Sequence, residues 1–426
     1  MKDTICAIST AKGGAIGIIR TSGPKAISIT DSIFVGKHRL TEVKPYTMHF
    51  GEIRDTNGTL IDEVLVSVYR APHSYTGEDS TEISCHGSAY ILQRIIELLL
   101  QHGCTMAQPG EYTQRAYLNG KMDLSQAEAV ADLIASRNAS THKIAMQQMK
   151  GGYSTKLNEL REQLLEITSL LELELDFSEE DVEFADRQKL VKLAENIHQE
   201  INRLTNSFHL GNAIKNGVPV AIIGAPNVGK STLLNALLRD DRAIVSDIQG
   251  TTRDIIEDTI TLHDITFRFI DTAGIRHTTD TIEQMGIERS IKAAEKAQII
   301  ILITEPGIPY PDIPVREDQT IINIVNKTEQ FQALHNIGLK ELEEQLVAAV
   351  PHDDNDLLVT NLRHYDALTQ ANADIQRALK SLLINLSGDL VAEDLRQCLN
   401  HLSQILGQIT TDEVLANIFK NFCVGK

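Results

Sequence analysis

The chain has 426 residues and a formal net charge of −18 at pH 7. That length allows about two to four domains with sizeable cores. No run approaches the roughly 18 uninterrupted apolar residues of a membrane span, and the N-terminus lacks the charged and then hydrophobic segment of a secretory signal. We therefore expect a cytoplasmic protein that has no membrane partner.

The cysteine pattern and the charge balance exclude further classes. The five cysteines are odd in number and form no C-x-x-C pair, so reduced thiols are expected and a zinc signature is absent. The 58 acidic side chains outnumber the 40 lysines and arginines, which argues against broad electrostatic attraction to nucleic acid. An RNA contact would need a local basic patch. The charge balance of the sequence does not locate such a patch.

Residues 1–118 alternate short apolar runs with turns marked by glycine and proline. The predicted strands are Thr4–Ile8, Ala15–Arg20, Ile61–Tyr69 and Thr81–Cys85, with a helix over Tyr90–Gln101. This mixture is typical of a small α/β or α+β domain.

Long amphipathic helices are predicted on both sides of a third domain. Glycine and proline are absent from residues 125–150 and 153–210, where leucines recur every three or four residues. We predict a first helical part over 119–213, a nucleotide domain over 214–355 and a second helical part over 356–426. The nucleotide domain would then be an insertion in one helical domain, although two separate bundles would give the same pattern.

The segment from Gly224 to Ser231 reads G-A-P-N-V-G-K-S, between an apolar run and a helix-like stretch. Strand, glycine loop and helix are the context that a phosphate-binding loop requires. The glycines let backbone N–H groups face phosphate oxygens, Lys230 adds a positive charge, and Ser231 is placed to bind Mg²⁺. An ordinary glycine-rich turn is the alternative interpretation.

The strands around this loop predict a doubly wound, mostly parallel sheet with helices on both faces. The predicted strands are Val218–Ile223, Thr259–His263, Thr266–Ile270, Gln298–Thr304 and Thr320–Val325.

Three later segments follow in the order that a GTPase needs. In Gly250–Asp254 a threonine hydroxyl can complete the Mg²⁺ shell, and in Asp271–Gly274 the aspartate can hold Mg²⁺ through water. The third segment is Asn326–Glu329 after a strand. Together these motifs predict nucleotide hydrolysis or switching.

Two departures concern base recognition and hydrolysis. Glu329 stands where guanine-specific sites usually have aspartate, the following loop is short, and the stretch that covers the base is recognisable only as Gln332–Leu334. Ile275 stands where Ras-like enzymes have a water-orienting glutamine. The acidic candidates for that role are Asp280 and Glu283, although Glu283 could also be a solvated carboxylate at a helix start.

Segments outside the nucleotide domain carry a resemblance to a known family. They are the run from Gly110 to Lys121, the run from Asp123 to Ala129, and Phe422 to Lys426. With the nucleotide motifs, the sequence resembles the MnmE (TrmE) family of tRNA modification GTPases over nearly its whole length. Val424 is a conservative departure, since the family usually has isoleucine there, and Ser88 stands where the family usually has a second glycine.

The resemblance implies a GTP hydrolase, acting on a phosphoric anhydride, that helps to modify carbon 5 of the wobble uridine of tRNA. It implies a homodimer that works with MnmG, an FAD-containing partner that uses NADH, in a heterotetramer or larger complex. A tetrahydrofolate derivative, in its 5-formyl or 5,10-methylene form, would supply the one-carbon unit at the N-terminal dimerisation domain. By motif position its contacts would be Arg20, Glu82, Lys121 and Lys426.

The same resemblance implies a nucleotide site with two cations. The nucleotide contacts would be Asn227, Val228, Gly229, Lys230, Ser231, Thr232, Ser246, Asp247, Ile248, Gln249, Gly250, Thr251, Thr252, Asp271, Thr272, Ala273, Gly274, Asn326 and Lys327. Ser231 and Thr252 would hold Mg²⁺. Asn227, Ser246, Ile248 and Thr251 would hold K⁺, which would stabilise transition-state charge. Glu283 would position water, and Lys230 would act on the phosphates.

Cys423 and the overall activity each have alternatives. Cys423 could be a reactive thiol, or it could pack against the last helix with Phe422. The chain could also be a regulatory switch GTPase without modification chemistry, or a scaffold whose nucleotide turnover is weakened, as Glu329 suggests.

Overall fold

The computed structural model describes residues 3–11, 13–136, 138–176, 187–240, 258–263, 265–270, 291–316, 319–350, 357–384, 386–420 and 422–425. The strands are β1 (Thr4–Ile8), β2 (Ile16–Ser22), β3 (Phe34–Gly36), β4 (Thr47–Arg54), β5 (Leu60–Tyr69), β6 (Ser80–His86), β7 (Cys104–Met106), β8 (Val218–Ile223), β9 (Asp258–Leu262), β10 (Ile265–Phe269), β11 (Ile299–Thr304) and β12 (Thr320–Val325). The helices are α1 (Ala26–Ile33), α2 (Ala89–Gln101), α3 (Glu111–Leu118), α4 (Leu124–Ala135), α5 (Ala139–Met149), α6 (Gly152–Asp176), α7 (Arg187–Asn206), α8 (Phe208–Asn216), α9 (Lys230–Asp240), α10 (Leu339–Ala348), α11 (Leu362–Leu383), α12 (Gly388–Leu406) and α13 (Asp412–Phe419).

The chain divides into two compact units. The first unit contains residues 1–135, 147–165 and 399–426, and the second contains residues 136–146 and 166–398. Among the described helices, none is both long enough and apolar enough to cross a bilayer.

The first unit is built on a seven-stranded sheet in the order β3-β4-β5-β6-β2-β1-β7. Only β1 and β7 run parallel, and the other neighbours are antiparallel. Burial alternates along β5, which is the pattern of a sheet with one covered face. Helices α1 and α2 cover that face, and Ile19, Ile83 and Ile95 lie in the core between them. Met48, Phe50 and Leu65 are exposed.

The last helix, α13, packs in the first unit next to the start of α4. Leu415 and Phe419 form a small apolar cluster with Leu124 and Ala127. Gly110 makes this packing possible, because it has a φ of 69° and an added Cβ would lie 2.8 Å from Phe422 Cβ. The segment after α13 is thereby directed toward the strands near the N-terminus.

The second unit contains a five-stranded sheet in the order β12-β11-β8-β10-β9. All neighbours are parallel except β9 and β10. Every residue of β11 is buried, as expected for a continuous apolar strand that is covered on both faces. One face packs on α9 and α10 through residues such as Ile301 and Leu342, and the other packs on Ala294 and Ala297. This arrangement confirms the predicted mostly parallel sheet.

The connection between β11 and β12 departs from the usual order of a doubly wound sheet, in which a helix follows each strand. Its described residues, 305–316 and 319, contain no helix. The sequence explains this, because Pro306, Pro309, Pro311 and Pro314 each lack the N–H that a helix interior needs. β12 is an edge strand, and Ile321 on it is 39% exposed.

The helical segments before and after the nucleotide domain pack on each other within the second unit. Helix α7 contacts α11 along its length. Gly211 in α8 approaches the following segment so closely that an added Cβ would lie 2.2 Å from the Val359 carbonyl oxygen. This packing agrees with insertion into one helical domain. The boundaries at 118, 213 and 355 remain predictions.

Most predicted strands lie where the sequence places them. β1, β8 and β12 have the predicted bounds, and the other predicted elements shift by one or two residues. Strands β3, β4 and β7 were not predicted. The first and last are three residues long, too short to show a period of two, and Gly51 interrupts the pattern of β4.

Candidate functional site

The phosphate loop lies between β8 and α9, as predicted. Asn227 and Gly229 both have left-handed backbone conformations, with φ values of 64° and 97°. An added Cβ at Gly229 would lie only 2.4 Å from Asn326 Nδ2, so both the conformation and the space require glycine. Val228 is buried and fixes the loop on the sheet. The loop therefore turns sharply into the first turn of α9, and the N–H groups at a helix N-terminus favour anions.

Lys230 lies against the loop backbone. Its Nζ donates hydrogen bonds to the carbonyl oxygens of Gly224 and Ala225, both at 2.8 Å. Burial lowers the pKa of the Lys230 ammonium below its ordinary value. Phosphate oxygens would be stronger acceptors than these carbonyls because they are charged. Ser231 and Thr232 follow Lys230 in the same turn of α9.

Asn326 connects the phosphate loop to the segment that follows β12. The side chain is buried; its Nδ2 donates to the Val228 carbonyl oxygen at 2.9 Å, and its Oδ1 accepts from the Ala333 N–H at 3.1 Å. Ala333 belongs to the stretch in which the sequence suggested a base-covering loop. One buried amide thus joins two of the predicted nucleotide-binding segments.

The turn after Asn326 is short and internally bonded. The Thr328 N–H donates to the Phe331 carbonyl, and the Phe331 N–H donates to Thr328 Oγ1, each at 3.1 Å. Glu329 lies in this turn and is exposed. Lys327 Nζ lies 2.5 Å from Glu305 Oε1 at the end of β11. The two segments predicted to recognise the base, Asn326–Glu329 and Gln332–Leu334, are therefore joined by only a few residues.

Besides the phosphate loop, a pocket lies on the sheet of the first unit. It has a volume of about 200 Å³ and is lined by Arg20, Tyr69, Tyr75, Ser80 and Glu82. Strands β2 and β6 place Arg20 directly opposite Glu82, and Arg20 Nη2 lies 2.7 Å from Glu82 Oε1. The Arg20 guanidinium also lies 5.6 Å from the centre of the Tyr75 ring. The pocket therefore combines the ion pair of Arg20 and Glu82 with two tyrosine rings.

Helix α3 supports this pocket from beneath. Tyr112 is fully buried and its hydroxyl donates to the Arg20 carbonyl at 2.7 Å. Burial raises the pKa of the Tyr112 hydroxyl above its ordinary range, so it stays a donor. Thr113 Oγ1 and the Tyr75 hydroxyl lie 2.9 Å apart. Two residues of one short helix thus fix the arginine and one tyrosine of the pocket.

The C-terminal segment reaches the same pocket. The Gly425 carbonyl oxygen accepts from Ser9 Oγ at 3.2 Å and from Arg20 Nη1 at 3.5 Å. Cys423 is exposed, and its carbonyl accepts from the Gly110 N–H at 3.3 Å. Lys121 lies beside the loop that carries Tyr75 and donates through Nζ to the Pro72 carbonyl at 3.1 Å. Two of the four predicted folate contacts, Arg20 and Glu82, line the pocket, and Lys121 does not.

Comparison with known proteins gives matches along the whole chain. A family model described as "MnmE helical domain" matches residues 124–423, and one described as "GTP-binding protein TrmE N-terminus" matches residues 4–121. Proteins named tRNA modification GTPase MnmE from Bacteroides fragilis (strain YCH46) and Bacteroides thetaiotaomicron are each 54% identical over 466 residues, covering 100% of both chains. The protein of that name from Flavobacterium johnsoniae is 49% identical, covering 100% of this chain and 99% of its own.

This chain belongs to the MnmE family.

The alignments with the Bacteroides proteins are longer than this chain. They span 466 positions with the Bacteroides proteins, whereas this chain has 426 residues, so the relatives carry positions that it lacks.

Several predicted site residues lie outside the described part of the chain. They are Ser246, Asp247, Ile248, Gln249, Gly250, Thr251, Thr252, Asp271, Thr272, Ala273, Gly274, Glu283 and Lys426. The proposed Mg²⁺ site is described only at Ser231, and the proposed K⁺ site only at Asn227.

Sequence reasoning missed the aromatic part of the N-terminal pocket. Tyr69 and Ser80 face each other across β5 and β6, and Tyr75 lies in the loop between those strands. The period-two pattern of β5 places Tyr69 on the uncovered face, but only the register with β6 brings it to Glu82. Arg115 was also missed, because nothing in a single helix indicates that an arginine is buried.

Proposed function

We propose that this chain is a GTP hydrolase that takes part in tRNA modification. The observation that carries the proposal is the glycine-turned phosphate loop joined through Asn326 to the base-recognition turn. The relatives' name, tRNA modification GTPase, supports it, since they are 54% identical over the whole chain. In full, the protein would act with an FAD-containing partner, MnmG, on carbon 5 of the wobble uridine.

In the nucleotide step, the residues of this chain bind and orient the phosphates. The N–H groups at the start of α9 and the Lys230 ammonium would receive the phosphate oxygens, and Ser231 would hold Mg²⁺, which neutralises charge when bound. Asn227 supplies a side-chain oxygen at the turn of the loop, the kind of ligand that K⁺ accepts. Glu283 is proposed to orient the attacking water.

In the modification step, the N-terminal pocket would bind the ring system of a tetrahydrofolate derivative, which supplies a one-carbon unit when bound. The chemistry of the lining fits such a ring, because Tyr69 and Tyr75 offer aromatic faces and Glu82 offers an acceptor for ring N–H groups. Arg20 is already paired with Glu82, so its role would be to hold that carboxylate. Lys121 and Lys426 remain candidates for the carboxylates of the folate tail.

A homodimer is supported by the uncovered face of the N-terminal sheet. Met48 is 60% exposed and Phe50 is 63% exposed, and Phe50 faces the exposed Leu65 across β4 and β5. A second copy of this face would remove these side chains from water at about 25 cal/mol per Å² of apolar surface. The pocket lies on this same sheet, so a dimer would border it.

A test of the proposed function is GTP turnover by the full chain in KCl and, at matched ionic strength, in NaCl, with ATP as the control nucleotide. We expect turnover of GTP alone, strongly stimulated by K⁺. Asn227→Ala should abolish the stimulation, whereas Asn323→Ala, which changes an exposed asparagine on β12, should not. Glu283→Ala should keep GTP binding and lose hydrolysis.

A scaffold with weakened turnover is the second candidate, and the exposed Glu329 in a contracted turn favours it. The same assay separates the two candidates. Absent turnover in both salts would contradict the hydrolase and support the scaffold. Equal binding of XTP, ATP and GTP would contradict the proposed specificity for guanine.

A further inference from the structure

The connection between β3 and β4 is a basic segment in an acidic protein. Residues 37–46 contain three lysines or arginines, one histidine and one acidic residue, Glu42, while the whole chain has a net charge of −18. His49 follows near the start of β4. Lys37, His38, Arg39 and Lys44 are all exposed. We name this surface the basic loop.

The basic loop is held in one conformation by bonds along its length. Asp31, which is buried, accepts from the Leu40 N–H at 2.6 Å and from Arg39 Nε at 2.7 Å. Arg70 Nη2 donates to the Thr41 carbonyl at 2.7 Å. Leu40 is fully buried. The charges are therefore displayed on a fixed backbone, which reduces the entropy lost when a ligand binds.

A cavity opens on this loop. It has a volume of about 480 Å³ and is lined by His38, Glu42, Val43, Lys44, Thr47 and His49. Thr47 Oγ1 lies 2.8 Å from His49 Nε2 and donates to the Lys44 carbonyl at 2.6 Å. Hydroxyl, imidazole and ammonium groups in one concave surface match the groups that contact phosphate and sugar in nucleic acids.

An exposed aromatic ring links the loop to the N-terminal pocket. Tyr46 is 65% exposed and has a φ of 59°, a left-handed conformation that is costly for tyrosine. Its hydroxyl donates to the His73 carbonyl at 2.6 Å, and its ring packs edge-on against Tyr69 of the pocket at 5.9 Å. Exposed aromatic rings beside basic side chains are the usual elements of single-stranded RNA recognition.

We propose that the basic loop binds the phosphate backbone of the tRNA and that Tyr46 directs a nucleotide toward the pocket lined by Tyr69. The proposal rests on the proposed function for the choice of tRNA as the polyanion. Lys37 and Lys44 each contact phosphate, and neutralising phosphates releases counterions from the RNA, so binding weakens as salt rises. An acidic chain thereby binds RNA through one small surface.

The test is binding of a fluorescent tRNA transcript with uridine at the wobble position to the full chain, from about 50 to 200 mM KCl. A double variant, Lys37→Ala with Lys44→Ala, should bind roughly tenfold more weakly, and the slope of log affinity against log salt should fall by about 2. The matched control is Lys189→Ala with Lys192→Ala, two exposed lysines on α7, which should keep the wild-type affinity and slope. Lys44→Gln alone should give about half the change in slope.

The proposal would be overturned if both double variants lost tRNA affinity equally, or if the variant of Lys37 and Lys44 bound tRNA like the wild type. It would also be overturned if that variant lost binding to the FAD-containing partner while its tRNA affinity stayed intact. The last would make the loop a protein-docking surface. GTP turnover of the wild-type protein, measured in parallel, reports the proposed function separately, so failure of one conclusion is distinguishable from failure of the other.

Discussion

Arg115 carries a buried charge that could not be predicted from the sequence. Its side chain is 1% exposed, and its guanidinium lies 2.7 Å from Glu111, 3.1 Å from Asp3 and 3.2 Å from Glu78. Burial opposes the charge, but hydrogen bonding and attraction from Glu111 and Glu78 keep the pKa of Arg115 above its ordinary value. Glu78 lies in the loop that carries Tyr75, so Arg115 fixes one wall of the pocket.

Arg115→Ala should destabilise the first unit by about 3 kcal/mol, because it removes a buried guanidinium and leaves the partly buried carboxylates of Glu78 and Glu111 without their cation. Urea unfolding, followed by fluorescence of the tyrosines, measures the loss. Arg94→Ala is the control, since its pair with Glu97 is on the surface and is expected to contribute under about 1 kcal/mol. Equal effects of the two changes would contradict the role assigned to Arg115.

Asn326→Ala should weaken GDP binding by about tenfold or more. The change leaves the Val228 carbonyl and the Ala333 N–H without a partner, at about 1 to 3 kcal/mol for each buried group, and each 1.4 kcal/mol is tenfold in affinity. Displacement of a fluorescent nucleotide analogue measures the affinity. Asn323→Ala removes an exposed amide of the neighbouring strand and should change little; a loss of the same size there would show that the effect is not specific.

At this scale the sequence predicted the residues whose spacing encodes their chemistry. The phosphate loop needs glycine and lysine at fixed positions, so Gly229 and Lys230 were found. Arg20 and Glu82 were assigned only through the resemblance, and their ion pair depends on the register of β2 with β6. Tyr75 and Arg115 could not be predicted, because their roles arise from contacts between segments far apart in the chain.

At the scale of elements, β12 is an uncharged strand at the edge of its sheet. The Thr320 N–H donates to the Gln298 carbonyl and the Asn326 N–H to the Thr304 carbonyl, so the backbone groups of alternate residues point toward β11. The groups of Ile321 and Val325 therefore point away from the sheet. Strands of this kind usually carry lysine or proline as protection against pairing with other chains.

Ile321→Lys should lower aggregation during a thermal hold while the unfolding midpoint stays the same. Light scattering at fixed protein concentration measures the first quantity, and circular dichroism measures the second. The matched variant Ile322→Lys places the same charge at a position that is 5% exposed and should instead lower the midpoint by several degrees. If Ile321→Lys aggregated like the wild type, the edge would not be the site of association.

The elements of the nucleotide domain were predictable where the pattern is local. β8 is a continuous apolar strand and lies at its predicted residues. The connection between β11 and β12 contains no helix in its described residues, because the four prolines between residues 306 and 314 each lack the N–H that a helix interior needs. Alternation of strands and helices is a tendency of the fold class, whereas proline acts directly on the backbone.

At the scale of the whole molecule, the thiols divide into two kinds. Cys6, Cys85, Cys104 and Cys398 are buried, and Cys423 is exposed. Burial and the charge of Asp62 raise the pKa of the Cys85 thiol to about 11, and burial raises that of Cys398 further. A thiolate is the reactive form, so Cys85 and Cys398 are protected both by burial and by protonation.

A thiol reagent at pH 8 should therefore label one fast cysteine per native chain, and Cys423→Ser should remove that label. In denaturant all five cysteines should react. Raising the pH toward 11 favours the Cys85 thiolate, so slow labelling should increase only at the alkaline end. Two or more fast thiols in the native wild-type protein would contradict the burial described here.

The contact between Arg20 and Gly425 has a consequence for biosynthesis. The two residues are 405 positions apart, so the strand that carries Arg20 leaves the ribosome long before its partner is made. At about 5 to 20 residues per second, the interval is roughly 20 to 80 seconds. The N-terminal sheet can form early, but the Arg20 guanidinium lacks this acceptor until residue 425 has been translated. During that interval the sheet of the first unit can be formed while the contact between Arg20 and the C-terminal segment is still missing.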